Sequence, residues 1–227
     1  MPQFVIPPPP PTVLAIADGG LLAVRRVYCV ARNYGDHVRE MGGDPDREPP
    51  CFFAKPADAV TTAGRIPYPP ATANLHHEVE LVAVIGKGGA DIPAGRALEH
   101  VFGYTVGIDL TRRDLQEAAR KAGRPWDMAK GFDCSAPCGV VMRAAAIGHP
   151  ATGAITLAVN GERRQAGDLA AMIWPMADML AELSALVALA PGDLVFTGTP
   201  AGVGPVVRGD RLTARIEGVG EHAVTVG

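Results

Sequence analysis

The sequence is poor in several residue types that common functions require. It has 227 residues but two serines, Ser135 and Ser184, and neither lies in the G-x-S-x-G turn that presents a hydrolase nucleophile. Aromatic residues make up 5% of the chain and the formal net charge is −3, so we expect neither a stacking platform nor a basic surface for nucleic acid. These absences argue against a serine hydrolase and against a nucleic-acid-binding protein.

Paired cysteines, long apolar runs and phosphate-binding motifs are also missing. The four cysteines form no C-x-x-C pair, which disfavours a zinc site and is typical of buried thiols in a reducing cytosol. No apolar run reaches about 18 residues, and no basic segment precedes an apolar one at the N-terminus. We therefore expect a cytoplasmic protein with no membrane span and no secretion signal. The glycine-rich stretch 199–205 lacks the Gly-Lys-Ser/Thr of a nucleotide-binding loop.

The residues that are present predict an α+β fold in which strands dominate. We predict a proline-rich arm over residues 1–22, where Pro7–Pro11 favour an extended conformation, followed by one larger domain over residues 23–227. Short strands alternate with a few short helices in that domain, which indicates a mixed sheet. Strands are predicted at 26–31, 51–60, 78–85, 103–110, 194–198 and, as the last one, 210–218, with a hairpin at 155–165 turning at Asn160-Gly161.

Helices are predicted at 33–43, 91–101, 111–123 and 174–189. Asn33 is the predicted N-cap of the first of these helices. Thr111 and Asp114 approximate a capping box at the start of the third. The fourth begins at Pro175, and its apolar stripe is predicted to face the core through Met176, Met179, Leu180, Leu183, Leu186 and Val187.

Two glutamates stand at the head of the predicted strand 78–85. Glu78 and Glu80 share one face of a strand, about 6.5–7 Å apart along it, and apolar residues continue that face. Two carboxylates partly removed from water repel each other, and a divalent cation between them removes the repulsion. Asp109, at the end of another predicted strand, is a candidate third ligand. By spacing alone, a solvated pair of glutamates with Asp109 as a helix cap is an equally good interpretation.

Two further motifs are candidates for acid–base chemistry. His37 and Glu40 are three residues apart on a predicted helix, so they share a face. A carboxylate beside a histidine raises its basicity and selects its tautomer, which suits a base that activates water. The same spacing also suits an ordinary surface pair. Lys130 lies among apolar residues and glycine, and it is either an ammonium that contacts a substrate or an ordinary lysine.

Seven motifs together resemble the fumarylacetoacetate hydrolase family. They occur in the family's order over about residues 26–216: "ARNYGDHVREMG", "FFAKP", "HHEVELVAVIG", "GYTVGIDLTRRDLQ", "WDMAKGFDCSAPCG", "VNGERRQ" and "PGDLVFTGTPAGVGP". The resemblance implies that residues 23–227 are a catalytic domain with the mixed β-sandwich or β-roll of that family, usually found as a homodimer.

The resemblance also implies roles for individual side chains. It implies one Mg²⁺ or Mn²⁺ ion per chain on Glu78, Glu80 and Asp109. His37 and Glu40 match the water-activating pair, on a segment that closes over substrate in relatives. Lys130 matches a lysine that faces the substrate, and we expect it to be catalytic with His37 and Glu40. The remaining matches are to positions that line the site or bind the substrate, namely Arg32, Tyr34, Arg113, Gln116 and Thr199.

Flanking segments narrow the expected substrate. "EMGGDPDREPP", "KPADAV" and "GRPWDMAKGFDCSAP" resemble bacterial members that hydrolyse fumarylpyruvate, a 2,4-dioxo acid, at a carbon–carbon bond in gentisate-type aromatic catabolism. The alternatives are a broad acylpyruvate hydrolase, an oxaloacetate decarboxylase, and a catalytically silent binding protein on the same scaffold. Arg39, Arg47 and Lys55 are the candidates to receive the far carboxylate of fumarylpyruvate, and the sequence does not choose among them.

Overall fold

Strands predominate in the computed structural model of the chain, which describes residues 4–40 and 49–227. In these ranges the strands, in chain order, are β1 (Val13–Ala15), β2 (Leu21–Ala23), β3 (Val27–Ala31), β4 (Cys51–Lys55), β5 (Val60–Thr61), β6 (Arg65–Ile66), β7 (Leu75–His77), β8 (Val79–Ile85), β9 (Val101–Ile108), β10 (Thr111–Arg112), β11 (Ala136–Pro137), β12 (Met142–Arg143), β13 (Ala154–Val159), β14 (Glu162–Asp168), β15 (Leu194–Phe196), β16 (Gly204–Val206), β17 (Arg211–Ile216) and β18 (Gly220–Val226).

The helices of the same ranges are short. They are α1 (Gly35–Glu40), α2 (Ala94–Ala97), α3 (Arg113–Lys121), α4 (Asp127–Lys130), α5 (Ala144–Ile147) and α6 (Met176–Leu186), with 3₁₀ turns at Ala57–Ala59, Leu98–His100 and Leu169–Ala171. No helix within residues 4–40 and 49–227 has both the length and the apolar character needed to cross a membrane.

Two large sheets enclose the main core. One has the strand order β12-β9-β8-β15-β3-β4, and it is mixed because β15 runs parallel to β3 and antiparallel to β8. The other has the order β14-β13-β17-β18-β6. β13 contacts β8 while β17 and β18 contact β9, so the two sheets pack face to face. Every residue of β8 is buried, as expected for a central strand with both faces covered. The predicted mostly β, mixed-sheet fold is confirmed.

The chain changes sheets at Glu78. β7 belongs to a small sheet of order β10-β7-β16, and β8 belongs to the six-stranded sheet. The predicted strand at about 78–85 is β8, which begins one residue later at Val79, so Glu78 lies in the break between the two strands. Asp109 follows β9, the antiparallel neighbour of β8, and its N–H donates to the carbonyl of Glu78 at 2.8 Å. The break in the strand and this hydrogen bond bring Asp109 beside Glu78.

The predicted cap Asn33 has a different role. α1 begins at Gly35, and the buried side chain of Asn33 donates to the carbonyl of Thr197 at 2.8 Å and accepts from the N–H of Trp174 at 2.7 Å. The amide therefore ties the segment before α1 to the residue that follows β15 and to the segment before α6. The predicted continuation of this helix to 43, and Arg47, lie outside the described residues.

The predicted capping box of α3 is also wrong. Thr111 lies in β10, two residues before the helix, and its hydroxyl donates to Glu78 and accepts from no N–H of the helix. The carboxylate of Asp114 accepts from the hydroxyl of Thr72 at 2.6 Å and from the N–H of Ala73 at 3.0 Å. Both side chains are bound by tertiary partners.

α6 and the predicted hairpin largely follow the sequence. Asn160 and Gly161 have φ angles of 53° and 84°, as the predicted type I′ turn requires. Met176, Met179, Leu180 and Leu183 are buried on α6, and Val187, which follows the helix, packs against the core as predicted. Leu186 is 69% exposed, so its predicted place in the buried stripe is wrong.

The predicted last strand is followed by another one. β18 pairs with β17 after a turn at Gly218, whose φ is 73°, and it also pairs with β6. The prediction ended the fold one strand early.

Part of the predicted arm packs on the larger domain. β1 and β2 form a hairpin, and Leu14 is fully buried in a cluster with Val24 and Val27. Phe4, Val5 and Ile6, which precede the proline run, are exposed. The division of the chain at residue 22 stays a prediction.

Candidate active site

Three carboxylates that are far apart in sequence meet in a buried cluster. Glu78 lies at the β7–β8 break, Glu80 lies in β8 and Asp109 directly follows β9. Their exposed fractions are 5%, 2% and 1%. One oxygen from each carboxylate lies within 4.8 Å of the others, close enough for one metal ion to contact all three. The structure therefore brings the predicted ligands together.

Lys130 lies against this acidic cluster. Its ammonium donates to Glu78 Oε2 at 2.9 Å, to Asp109 Oδ2 at 2.7 Å and to the hydroxyl of Thr111 at 2.7 Å. The residue ends α4 and is 3% exposed. Burial lowers its pKa, but Asp109 and Glu78 raise it more, so Lys130 is protonated. Its predicted contact with substrate stays a prediction.

Glu78 and Glu80 lie in electrostatically different surroundings. Burial raises the pKa of Glu80, and the neighbouring Asp109 and Glu78 raise it further, to well above its ordinary value. Burial also raises the pKa of Glu78, but Lys130 and Arg113 outweigh burial and hold that pKa below its ordinary range. Keeping all three carboxylates ionised therefore requires more positive charge near Glu80. A divalent cation supplies that charge, and carboxylate oxygens are the donors that Mg²⁺ and Mn²⁺ prefer, so these residues fit such an ion.

Lys55 is a second ammonium on the opposite side of Asp109. Its Nζ lies 2.8 Å from Asp109 Oδ1. It also donates to the carbonyls of Leu110 at 3.3 Å and Ser135 at 3.1 Å, and to that of Lys130. The side chain is fully buried, so Lys55 fixes Asp109 and the segments around it from within the core.

The structure leaves fewer of the three predicted residues available to bind the far carboxylate of a substrate. Lys55 is committed to the core. Arg39 is exposed on α1 and pairs with Asp36 at 2.6 Å. Arg47 lies outside the described residues.

His37 and Glu40 form the predicted pair on α1. His37 is 8% exposed, and its Nδ1 lies 3.2 Å from Glu40 Oε2. A carboxylate accepts hydrogen bonds, so in the neutral ring this contact selects the tautomer with its proton on Nδ1 and leaves Nε2 as a proton acceptor. Both oxygens of Glu40 also accept from the N–H of Gly202 at 3.2 Å. Gly202 has a φ of 93°, and a Cβ there would lie 2.1 Å from the carbonyl oxygen of Arg164, so this anchor requires glycine.

One cleft joins the acidic cluster to His37. The open space of the cleft, with the solvent at its mouth included, is about 640 Å³. Its lining includes the three carboxylates, His37 and Lys130 together with the predicted substrate-binding residues Arg32, Arg113, Gln116 and Thr199. Tyr34 is buried and its backbone pairs with Met172; it is not among the lining residues, and its predicted substrate contact stays a prediction.

Comparison with known proteins identifies the family. The model of the fumarylacetoacetate (FAA) hydrolase C-terminal domain matches residues 26–227. The chain belongs to the fumarylacetoacetate hydrolase family. This membership confirms the predicted enzyme class, a hydrolase acting on carbon–carbon bonds.

Solved and curated family members are similar over most of their length. The crystal structure of a fumarylpyruvate hydrolase from Pseudomonas aeruginosa, in complex with Mn²⁺ and pyruvate, is 52% identical, covers 99% of each chain and has a TM-score of 0.97. A fumarylpyruvate hydrolase from Ralstonia sp. is 42% identical over 81% of this chain and 96% of its own length. A mitochondrial oxaloacetate tautomerase from Mus musculus is 41% identical over 86% of this chain and 88% of its own.

In the present protein, the side chain of His76 accepts a hydrogen bond from an arginine of the cleft. Arg113 donates to Glu78, to Gln116 and, at 3.4 Å, to Nδ1 of His76. Nε2 of His76 donates to Asn74 Oδ1 at 2.9 Å. Burial and the charge of Arg113 lower the pKa of His76 to about 4, so the ring is neutral near pH 7 and can accept the hydrogen bond.

Gln165 was missed by sequence reasoning. Its amide nitrogen donates to Thr199 Oγ1 at 2.8 Å and to the carbonyl of Pro200 at 2.9 Å. Its carbonyl accepts from Val79 N at 3.0 Å and lies 2.9 Å from His77 Nδ1. The fully buried Gln165 therefore positions both Thr199 and the start of β8. The available signal was an uncharged polar residue that directly follows three charged residues in the predicted hairpin and is buried while they are exposed.

Proposed function

We propose that this protein is a metal-dependent hydrolase that cleaves fumarylpyruvate to fumarate and pyruvate. The observation that carries the proposal is one cleft lined by the buried carboxylate cluster and by His37, the ring of which contacts Glu40. The similarity to a fumarylpyruvate hydrolase whose structure contains Mn²⁺ and pyruvate supports the choice of substrate. The proposal includes a cytoplasmic homodimer acting in gentisate-type aromatic catabolism.

Glu78, Glu80 and Asp109 are proposed to hold one Mg²⁺ or Mn²⁺ ion. When bound, the ion would supply the positive charge that orients the 2,4-dioxo acid and polarises its carboxylate and 2-keto oxygens. Lys130 and Lys55 hold two of the ligand carboxylates in place through direct contacts. A site supported in this way needs little rearrangement when the ion binds.

The residues of the chain then carry out the proton transfers. Nε2 of His37 removes a proton from water, and Glu40 holds the ring and stabilises its positive charge. The water oxygen attacks C4 of the substrate, the amide N–H of Gln116 donates a hydrogen bond to the oxygen that becomes negative, and the positive charge of Lys130 stabilises it. The C3–C4 bond breaks, its electron pair remains on C3, and a proton from His37 completes the methyl group of pyruvate.

A second candidate function is supported by the mammalian relative. The mouse protein is an oxaloacetate tautomerase at 41% identity. Enol–keto conversion needs proton transfer but no attacking water, so His37 could serve it in the same cleft. Oxaloacetate decarboxylation and general acylpyruvate hydrolysis are further alternatives on this scaffold.

The proposed activity is tested by comparing substrates side by side. We expect the purified protein with Mn²⁺ or Mg²⁺ to hydrolyse fumarylpyruvate with a higher kcat/KM than acetylpyruvate, measured by loss of dioxo-acid absorbance. A chelator should abolish this turnover and added metal should restore it. Faster conversion of oxaloacetate than of fumarylpyruvate would favour the second candidate, and full activity after chelation would contradict the metal-dependent mechanism.

Replacing Glu80 by glutamine should weaken metal binding. The amide has a similar shape but no charge, so we expect Mn²⁺ affinity to fall at least about tenfold, as is seen even when outer partners of a metal site are removed. Isothermal titration calorimetry on the metal-free protein measures this affinity. Glu99→Gln, at an exposed glutamate that pairs with Arg96, is the matched control. Equal Mn²⁺ affinity in the two variants would contradict the assignment of Glu80.

A further inference from the structure

One side of the cleft is formed by a single face of α3. Arg113, Gln116, Glu117 and Arg120 all line the cleft. Their spacing of three, four and seven residues places them on one side of the helix. Seven residues correspond to about 10 Å along a helix axis, so Arg113 and Arg120 lie about two turns apart. The face thus places one guanidinium at the carboxylate cluster and another farther along the cleft.

The two arginines differ in how they are bound. Arg113 is buried and donates to Glu78, Gln116 and His76. Arg120 is exposed, and among residues 4–40 and 49–227 its guanidinium has no hydrogen bond or ion pair. A cation that lines a cleft without a protein partner is available to an anionic ligand.

The other cations of the described cleft are already engaged. Lys130 is held by Glu78 and Asp109, and Arg32 has an interaction of its own. Glu117 adds a negative charge to the same helix face between Gln116 and Arg120. It disfavours a ligand carboxylate at its own position, which restricts a second carboxylate to the end of α3 at Arg120.

The wall beside this helix suits a flat, unsaturated chain. Phe53 and Trp126 both line the cleft, and their rings meet edge to face with centroids 6.2 Å apart. Aromatic walls of this kind contact planar apolar groups through a large area. The trans double bond of a fumaryl group is planar and keeps its far carboxylate extended away from the bond that is cleaved.

We propose that Arg120 binds the far carboxylate of the substrate and selects acylpyruvates that carry a second negative charge. This inference rests on the proposed hydrolase function. A guanidinium can donate two parallel hydrogen bonds to one carboxylate, which a lysine cannot reproduce. Arg120 contacts neither the acidic cluster nor the His37–Glu40 pair, so it acts in binding and selection and not in the cleavage step.

The test compares Arg120→Gln with the wild type on two substrates. For fumarylpyruvate we expect KM to rise about 10- to 100-fold, the usual loss for a hydrogen bond to a charged group. For acetylpyruvate, which lacks the far carboxylate, kcat/KM should stay within about twofold of the wild type. Inhibition by the product fumarate should weaken by a factor similar to the change in KM.

Two further variants sharpen this test. Lys121→Gln removes an adjacent exposed cation that is not among the lining residues, and it should behave as the wild type on both substrates. Glu117→Gln should lower the KM for fumarylpyruvate and leave acetylpyruvate unchanged, because it removes the repelling charge. Arg120→Lys should recover part of the affinity that Arg120→Gln loses.

Failure of the proposed hydrolase function and failure of the Arg120 proposal would give different results. A wild type that releases no pyruvate from fumarylpyruvate would overturn both the proposed function and this inference. A wild type that hydrolyses fumarylpyruvate, with Arg120→Gln changing both substrates equally or neither, would overturn the role of Arg120 alone.

Discussion

Replacing His37 by alanine should lower the turnover of fumarylpyruvate by about 10²- to 10⁴-fold, the usual contribution of general acid–base catalysis. The variant loses the Nε2 acceptor, while the three carboxylates of the proposed metal site remain. We therefore expect kcat to fall and Mn²⁺ affinity to stay near that of the wild type. Steady-state kinetics and calorimetry on the same preparation measure the two quantities.

A matched histidine provides the control for this prediction. His149 lies outside the cleft and contacts the hydroxyl of Tyr104 at 2.7 Å, so His149→Ala should leave turnover unchanged. Glu40→Gln should lower kcat less than His37→Ala, because the amide can still accept from Nδ1 but cannot stabilise a charged ring. Unchanged turnover in a metal-loaded His37→Ala variant would exclude His37 as the base.

Replacing Lys55 by methionine should destabilise the metal-free protein by about 3–5 kcal/mol, the usual cost of removing one partner of a buried ion pair. The substitution keeps most of the side-chain volume but leaves Asp109 Oδ1 without its ammonium at 2.8 Å. It also removes the donor to the carbonyls of Leu110 and Ser135. Because total stabilities are commonly about 5–15 kcal/mol, the variant should unfold at a much lower urea concentration.

The control for Lys55→Met is Lys121→Met. Lys121 is exposed at the end of α3, so the same chemical change there should alter the free energy of unfolding by less than about 0.5 kcal/mol. Urea unfolding followed by circular dichroism, with chelator present, compares both variants with the wild type. Equal unfolding midpoints for Lys55→Met and the wild type would show that the buried ammonium contributes little to stability.

Local patterns predicted the parts of this fold that depend on near neighbours in sequence. The β13–β14 hairpin follows from Asn160-Gly161, because both residues tolerate the positive φ that the turn needs. Most of the buried stripe of α6 follows from its helical spacing. The residue types and spacing of Glu78 and Glu80 also sufficed to propose a cation site, and the ordered motifs identified the family.

The hydrogen-bond partners of polar residues near helix starts were the hardest feature to predict from the sequence. Asn33 and Thr111 carry the same local signal whether they cap a helix or bind a distant partner. In the structure Asn33 donates to Thr197, and Thr111 donates to Glu78. Gln165 likewise binds His77, which is 88 residues away. These contacts form because burial leaves each polar group without water, and the nearest partner in space belongs to another element.

The sequence by itself determined which side chains are available for chemistry: three carboxylates, a histidine–glutamate pair and several lysines and arginines. Only the tertiary structure decided which charges meet. It placed Lys55 and Lys130 on two sides of Asp109 and left Arg120 exposed along the cleft. The physical reason is that electrostatic interaction and desolvation depend on distance through space and on burial, and neither follows from spacing along the chain.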